Sequence, residues 1–151
     1  GSQSNRLNRL VCYCDDCQAF AHFLGRAESV MDAHGGTDIV QMAPSHVSFS
    51  EGLEHLTCMR MSEKGMHRWF ASCRKTPIGN TGGFGMPFVG LIHACISATE
   101  AGGADGLFGP IKARVQTRYA RGDVEPLGST PGAIFRMASF LLIAKLQGTQ
   151  K

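Results

Sequence analysis

Three cysteines stand within six residues near the start of the chain, at Cys12, Cys14 and Cys17. Thiolate sulfur is a preferred ligand of Zn²⁺, which favours tetrahedral coordination by sulfur and nitrogen. The C-x-x-C half of the motif fits a turn into a helix, and the N-terminus of that helix would stabilise thiolate charge. We therefore predict that these three cysteines bind one metal ion, and that the metal is zinc.

Two other interpretations of the cluster remain open. Cys14 and Cys17 have the spacing of a thioredoxin-type redox pair, although that motif belongs in a βαβ context and antiparallel-type strands follow here. The cysteines could also be inert thiols. If they bind zinc, a tetrahedral ion lacks one ligand. Cys58, Cys73 or a histidine such as His22 could close the site, or an open position could take a soft ligand such as a substrate thiol.

The elements that must position these residues follow from periodicity and from turn signals. We predict a strand over 7–14, a helix over 17–24 capped by Asp15 or Asp16, and a short helix over 28–33. Further strands are predicted over 38–42, 46–50, 53–61, 66–73, 88–97 and 111–119. Residues 76–81 read as a turn and 101–110 as a loop. A final helix is capped by Ser129 or Thr130 and ends at Gly148.

Composition bounds the class of protein. With 43% apolar and 18% charged residues, the 151-residue chain is expected to fold as one domain over 1–151, with a C-terminal helical extension from about 129. A net charge of +3 is too small to indicate nucleic acid binding. No apolar run reaches the roughly 20 residues of a membrane span. No secretory signal is visible, so we expect a cytoplasmic protein, and the Gly-Ser start suggests a tag scar or a missing N-terminus.

Several segments resemble the glutathione-dependent formaldehyde-activating enzyme (GFA) family, which includes centromere protein V. Residues 11–17 (VCYCDDC) resemble its V-C-H-C-x-x-C motif, and residues 38–52 (DIVQMAPSHVSFSEG) resemble its strand–loop–strand segment. Residues 68–78 (RWFASCRKTPI) are similar to its R-x-F-C-x-x-C-G-T-P-L segment. The likeness spans about residues 10–97 and is closest to a divergent, uncharacterised branch.

This resemblance implies a mainly β (α+β) protein with a Mss4-like antiparallel β-sheet body, a short helix after the cysteine cluster and a C-terminal helix. It implies a reactive zinc on Cys12, Cys14 and Cys17, whose fourth position takes a small-molecule thiol, with glutathione as the family's substrate. The implied activity is that of a carbon–sulfur lyase, which joins formaldehyde to glutathione. The alternative is a non-catalytic, zinc-stabilised binding or oligomerisation module, and the apolar C-terminal helix is compatible with a homodimer.

The sequence departs from the family pattern in several places. The family's second, structural zinc takes an N-terminal C-x-C pair, which does not precede Cys12 here, and a later C-x-x-C pair, whose first ligand is replaced by Phe70, so we place no second zinc. The motif histidine is replaced by Tyr13. Asn80 and Thr81 could line the open side of the metal or belong to an ordinary turn. Finally, a basic strand face could attract substrate carboxylates or could be a solvated edge; its residues are Lys112, Arg114 and Arg118.

Overall fold

Alternating apolar residues build a single mixed sheet in the computed structural model, which describes residues 7–82, 87–96 and 103–147. Its strands are β1 (Asn8–Cys12), β2 (Thr37–Met42), β3 (Leu56–Met59), β4 (His67–Ala71), β5 (Thr76–Thr81), β6 (Val89–Ile92) and β7 (Ala113–Val115). They lie in the order β3-β4-β5-β6-β2-β1-β7. The helices are α1 (Asp15–Phe23), α2 (Ala27–Val30), α3 (Gly103–Phe108) and α4 (Thr130–Leu146).

The predicted fold class is confirmed: the protein is mainly β (α+β), with a short helix directly after the cysteine cluster and a C-terminal helix. The sheet is not antiparallel throughout, however. β1 pairs antiparallel with β2 but parallel with β7, where Cys12 is the partner of Val115. This parallel pair arises because β7 follows a long connection and reaches the free edge of β1 running in the same direction.

Several predicted strands are shorter or absent. The strand predicted over 53–61 extends only over Leu56–Met59, because Leu53–His55 form a 3-10 turn. The strand predicted over 46–50 is wrong, because Pro44 begins a 3-10 turn at Pro44–His46 and extended pairing does not resume before β3. The strand predicted over 111–119 ends at Val115, since Gln116 adopts a left-handed conformation with φ 58°. The strand predicted over 88–97 ends at Ile92 and leads into the turn His93–Cys95, while residue 97 lies outside the described residues.

Two elements were not predicted at all. Residues 76–81 form strand β5 between β4 and β6, although they carry turn-type residues. Pro77 lacks a backbone N–H, and the register of β4 and β5 shifts between Trp69 and Phe70, beside the position paired with Pro77. The predicted loop over 101–110 contains the helix α3.

Two apolar clusters lie among the residues that the structure describes. The first includes Leu10, Ile39, Val115, Ala133 and the side chain of Cys17. It therefore places the cysteine cluster against the core between the sheet and α4.

The second cluster consists of Phe20, Leu24, Phe70 and Ile92. Phe70 meets Phe20 edge-to-face with ring centroids 6.2 Å apart. Phe70 thus fills an apolar core.

A buried arginine fixes α3 to the sheet. Arg9, on β1, is 4% exposed and forms a two-pronged ion pair with Asp38 on β2, in which Nη2 lies 2.7 Å from the carboxylate. Its Nη1 donates to Asp105 and to the carbonyl of Gly109. Full pairing is what makes burial of this cation tolerable. Arg9 therefore anchors β1 to β2 and α3, three residues before Cys12 at the end of the same strand.

The N-terminus of α4 offers a direct test of the fold. The hydroxyl of Ser129 accepts the backbone N–H of Gly132 at 3.0 Å and so caps the helix. Ser129→Ala is expected to lower the free energy of unfolding by about 1 kcal/mol, because a helix N–H loses its partner. Urea denaturation measures the change. Ser139→Ala, inside the same helix, is the matched control and should leave stability unchanged; equal losses in the two variants would contradict the capping role.

Candidate metal centre

The three cysteines converge because a strand ends and a helix begins between them. Cys12 is the last residue of β1, Cys14 is the N-cap of α1, and Cys17 lies in the first turn of α1. The Sγ atom of Cys14 accepts the backbone N–H of Cys17 at 3.4 Å. The cap is therefore a thiol, not Asp15 or Asp16 as predicted. All three sulfurs lie within 4.8 Å of one another, so the group could hold a metal ion.

Neighbouring residues fix the backbone of the cluster. Nε2 of Gln18 donates to the carbonyls of Tyr13 and Tyr119, both at 2.9 Å. The ring of Tyr13 is buried, and its hydroxyl donates to Asp32 at 3.2 Å. Tyr13, which lies between Cys12 and Cys14, is thus bonded to Asp32 and does not line the cavity described below.

The electrostatics of the cluster favour a bound cation. The pKa of Cys14 is lowered to about 2, first by its hydrogen bond with Cys12 and then by that with Cys17. The pKa of Cys12 is raised, first by its hydrogen bond with Cys14, then by that with Cys17 and by burial. At Cys17 the hydrogen bond with Cys12 lowers the pKa, but the bond with Cys14 and burial outweigh it and raise the pKa to about 11. One thiol therefore ionises while its two neighbours stay protonated. A bound divalent cation would allow all three to be thiolates at once.

Arg68 supplies a buried positive charge beside the sulfurs. Its side chain is 3% exposed, and Nη1 donates to Sγ of Cys17 at 3.6 Å and to the amide oxygen of Asn80 at 3.4 Å. The guanidinium also lies 5.7 Å from the ring centroid of Phe20, and its Nη2 is 3.8 Å from the half-exposed carboxylate of Asp16. Three thiolates and one divalent ion carry a net charge of −1, which Arg68 offsets.

The cluster lies at one side of a cavity of about 450 Å³ between the sheet and α4, and all three cysteines line it. Its floor is one face of the sheet, so alternate strand residues contribute, and α4 forms the opposite wall. The apolar lining includes Leu10, Ile39, Phe88, Val115, Ala133 and Met137. Arg68 and Asn80 are the buried polar residues beside the sulfurs. A volume of this size is within the range of small-molecule sites.

Comparison with known proteins assigns the chain to a family. The sequence model of a family of unknown function, DUF6151, matches residues 4–149. The chain belongs to this family. Neither curated proteins nor solved structures provide a match. The DUF6151 match covers the cysteine cluster, every described strand and α4, so the cavity lies within the family's domain.

Most of the other predicted site residues of this DUF6151 protein lie outside the cavity lining. Asn80 does line the cavity, whereas Thr81 points to the other face of the sheet and accepts the indole N–H of Trp69 at 2.9 Å. His22 is exposed and contacts Arg121 at 3.1 Å. Within residues 7–82, 87–96 and 103–147, no other histidine, cysteine or acidic side chain joins the three sulfurs, so neither Cys58 nor Cys73 closes the site.

The basic strand face is engaged within the chain and lies outside the cavity lining. Nζ of Lys112 donates to the carbonyl of Leu7, Arg114 donates to the carbonyl of Glu125, and the guanidinium of Arg118 stacks on Tyr119.

In the part of the chain that the structure describes, no helix is both long and apolar enough to cross a membrane.

Proposed function

We propose that this chain is a GFA-like zinc protein that binds a small-molecule thiol at Cys12, Cys14 and Cys17 and acts as a carbon–sulfur lyase. One observation carries the proposal: within the described residues the three sulfurs have no fourth protein ligand, and they line a cavity large enough for a small molecule. Structural zinc sites are closed by four protein ligands, whereas reactive sites keep one position for water or substrate. The sequence resemblance to the GFA family supports the same reaction class.

Zinc is the metal that the donor set favours, because three thiolates select soft or borderline ions over Mg²⁺ or Ca²⁺. When bound, zinc would hold a substrate sulfur as a thiolate at neutral pH. In the lyase reaction the sulfur–carbon bond forms at an aldehyde carbon, the carbonyl π electrons move to oxygen, and that oxygen gains the proton that the thiol loses. A site built on reduced thiols fits a reducing compartment such as the cytoplasm.

The protein's own residues would have three tasks in this reaction. The cysteines hold the metal against the core, so its position is fixed by β1 and α1. Arg68 offsets the charge that a fourth thiolate adds. The apolar walls keep bulk water away from the sulfur, which strengthens each of these electrostatic interactions.

The deciding experiment measures metal content and thiol binding together. Protein purified without added metal is analysed by mass spectrometry, and about one zinc per chain is expected. Cobalt is then substituted for zinc, and a small thiol is titrated while the sulfur-to-cobalt absorption is recorded. A saturable change, together with faster equilibration of that thiol with formaldehyde, supports the lyase. A metal-free protein, or a spectrum that no thiol alters, contradicts the proposal.

A second candidate function is a zinc-stabilised oligomerisation module. The observation in its favour is the solvent-facing side of α4, where Phe135, Leu142 and Leu146 are 73%, 59% and 78% exposed. Single exposed apolar residues are ordinary, but a row of them on one helix is typical of an interface. A second copy of the chain would bury this row. Light scattering over a range of concentrations tests it: a dimer that Phe135→Glu dissociates supports this function, and a monomer at every concentration contradicts it.

A further inference from the structure

We infer that the cavity selects an uncharged, apolar thiol in preference to a charged peptide thiol such as glutathione. This inference rests on the proposed function, since it names the substrate class of the same site. Glutathione carries two carboxylates and one ammonium group. A site for it needs ionic partners for three charges, because a buried charge without a partner is costly.

The described lining of the cavity contains one charged side chain, Arg68, whose Nη atoms have partners within the chain while its Nε is buried without one; this single cation could pair with at most one of the two carboxylates of glutathione. Its Nη1 donates to Cys17 and to Asn80, and its Nη2 lies near Asp16. The neutral polar side chains of the lining are Gln41, Asn80, Gln116 and Thr130, and none of them supplies a counter-charge; two of them also have partners within the chain. The amide oxygen of Asn80 accepts from Arg68, and that of Gln41 accepts from Asn8 at 2.7 Å. No acidic residue lines the cavity within the described chain to receive an ammonium group.

The remaining walls favour hydrocarbon. Ile39 and Leu10 on the sheet face Ala133, Ile134 and Met137 on α4 across the cavity. Each methylene group that a ligand buries against such walls strengthens binding by about fourfold. A six-carbon chain extending from the metal would therefore gain affinity along its length, whereas carboxylates in the same place would lose their water without gaining a counter-ion.

Three thiols of graded polarity, and butanethiol as a shorter apolar thiol, test this inference on the full-length, cobalt-loaded protein. The probes are hexanethiol, 6-mercaptohexanoate and glutathione, and affinity is read from the sulfur-to-cobalt absorption. We expect hexanethiol to bind at least about tenfold more tightly than either charged thiol, and butanethiol to bind roughly 15-fold more weakly than hexanethiol. Glutathione binding as tightly as hexanethiol would overturn the inference and leave the proposed function standing. A spectrum that responds to none of the thiols would overturn both.

A charge introduced into the wall provides a second readout. Met137→Lys places a cation on the α4 side of the cavity and is expected to reverse the preference, so that 6-mercaptohexanoate binds more tightly than hexanethiol. Ile143→Lys is the matched control, because Ile143 lies on the same helix, is 47% exposed and does not line the cavity. The control should keep the order of the parent protein. If Met137→Lys also keeps that order, the cavity does not hold the tail of the thiol, and the inference fails.

Discussion

Replacing Cys17 with serine is expected to weaken metal binding by more than about 100-fold, so that a chelator removes the ion from the variant at concentrations that leave the parent protein loaded. Apparent binding free energies of structural zinc sites are about 10–16 kcal/mol, so one ligand of four carries on the order of 3 kcal/mol, or more than 100-fold in affinity. Cys17 is also 7% exposed within the first apolar cluster, so no solvent ligand can readily replace its sulfur. Mass spectrometry of the intact protein and competition with a chromogenic chelator measure the loss.

The effect on stability should depend on metal. In excess zinc the Cys17→Ser variant is expected to melt well below the parent protein, because only the parent gains binding energy on folding. In excess chelator the difference should shrink to the cost of placing a smaller, polar hydroxyl where the buried thiol stood. Cys73→Ser is the matched control, because Cys73 is exposed and distant from the cluster. A Cys17→Ser protein that retains its zinc against the chelator as the parent does would remove the basis of the site.

Arg68→Met is expected to weaken metal or thiol binding by about 10- to 100-fold, the usual cost of losing a group that supports metal ligands. The reason is charge: the guanidinium next to Cys17 offsets the anionic centre, and a fourth thiolate makes that centre more negative still. Met has a similar length and no charge, so the core stays filled. The metal-free variant should be as stable as the parent or more so, because a buried cation is removed together with its desolvation cost. Chelator competition and chemical denaturation separate these two effects.

Two further variants define what Arg68 contributes. Arg68→Lys keeps the charge and should restore part of the affinity, though not the geometry of the two contacts made by Nη1. Arg74→Met removes an exposed arginine that does not line the cavity and should bind metal as the parent does. Equal metal and thiol affinities in Arg68→Met and the parent protein would show that the buried cation serves only the packing of β4.

The parts of the site that were predicted correctly are local in sequence. Cys12, Cys14 and Cys17 are close in the chain, so their convergence follows from one strand end and one helix start. The C-terminal helix was also predictable, because Ser129, Pro131 and the following apolar run are strong start signals. Such signals act over a few residues and do not depend on what packs against them.

The features that were missed depend on distant contacts. The segment containing Pro77, Gly79 and Asn80 has turn composition, yet it pairs on both sides and becomes β5, because neighbouring strands override local propensity. The sequence of β7 does not indicate that it pairs in parallel with β1. The sequence of α4 does not indicate that it forms a cavity wall. Arg68 was noted as a motif residue, but its position beside Cys17 depends on which face of β4 turns inward. A lone arginine in an otherwise alternating strand is the signal that could have indicated it.

The close spacing of the three cysteines also has a kinetic consequence. Ligands separated by five residues or fewer remain near one another even in the unfolded chain, because the entropy of closing so short a loop is small. A metal ion that these cysteines bind would therefore be captured before the sheet assembles, and it would also be bound in the denatured ensemble. Metal then stabilises the native state by less than its full affinity. The bound metal would also cross-link the segment from which β1 and α1 form. The cavity would form later, when β7 and α4 pack against that segment.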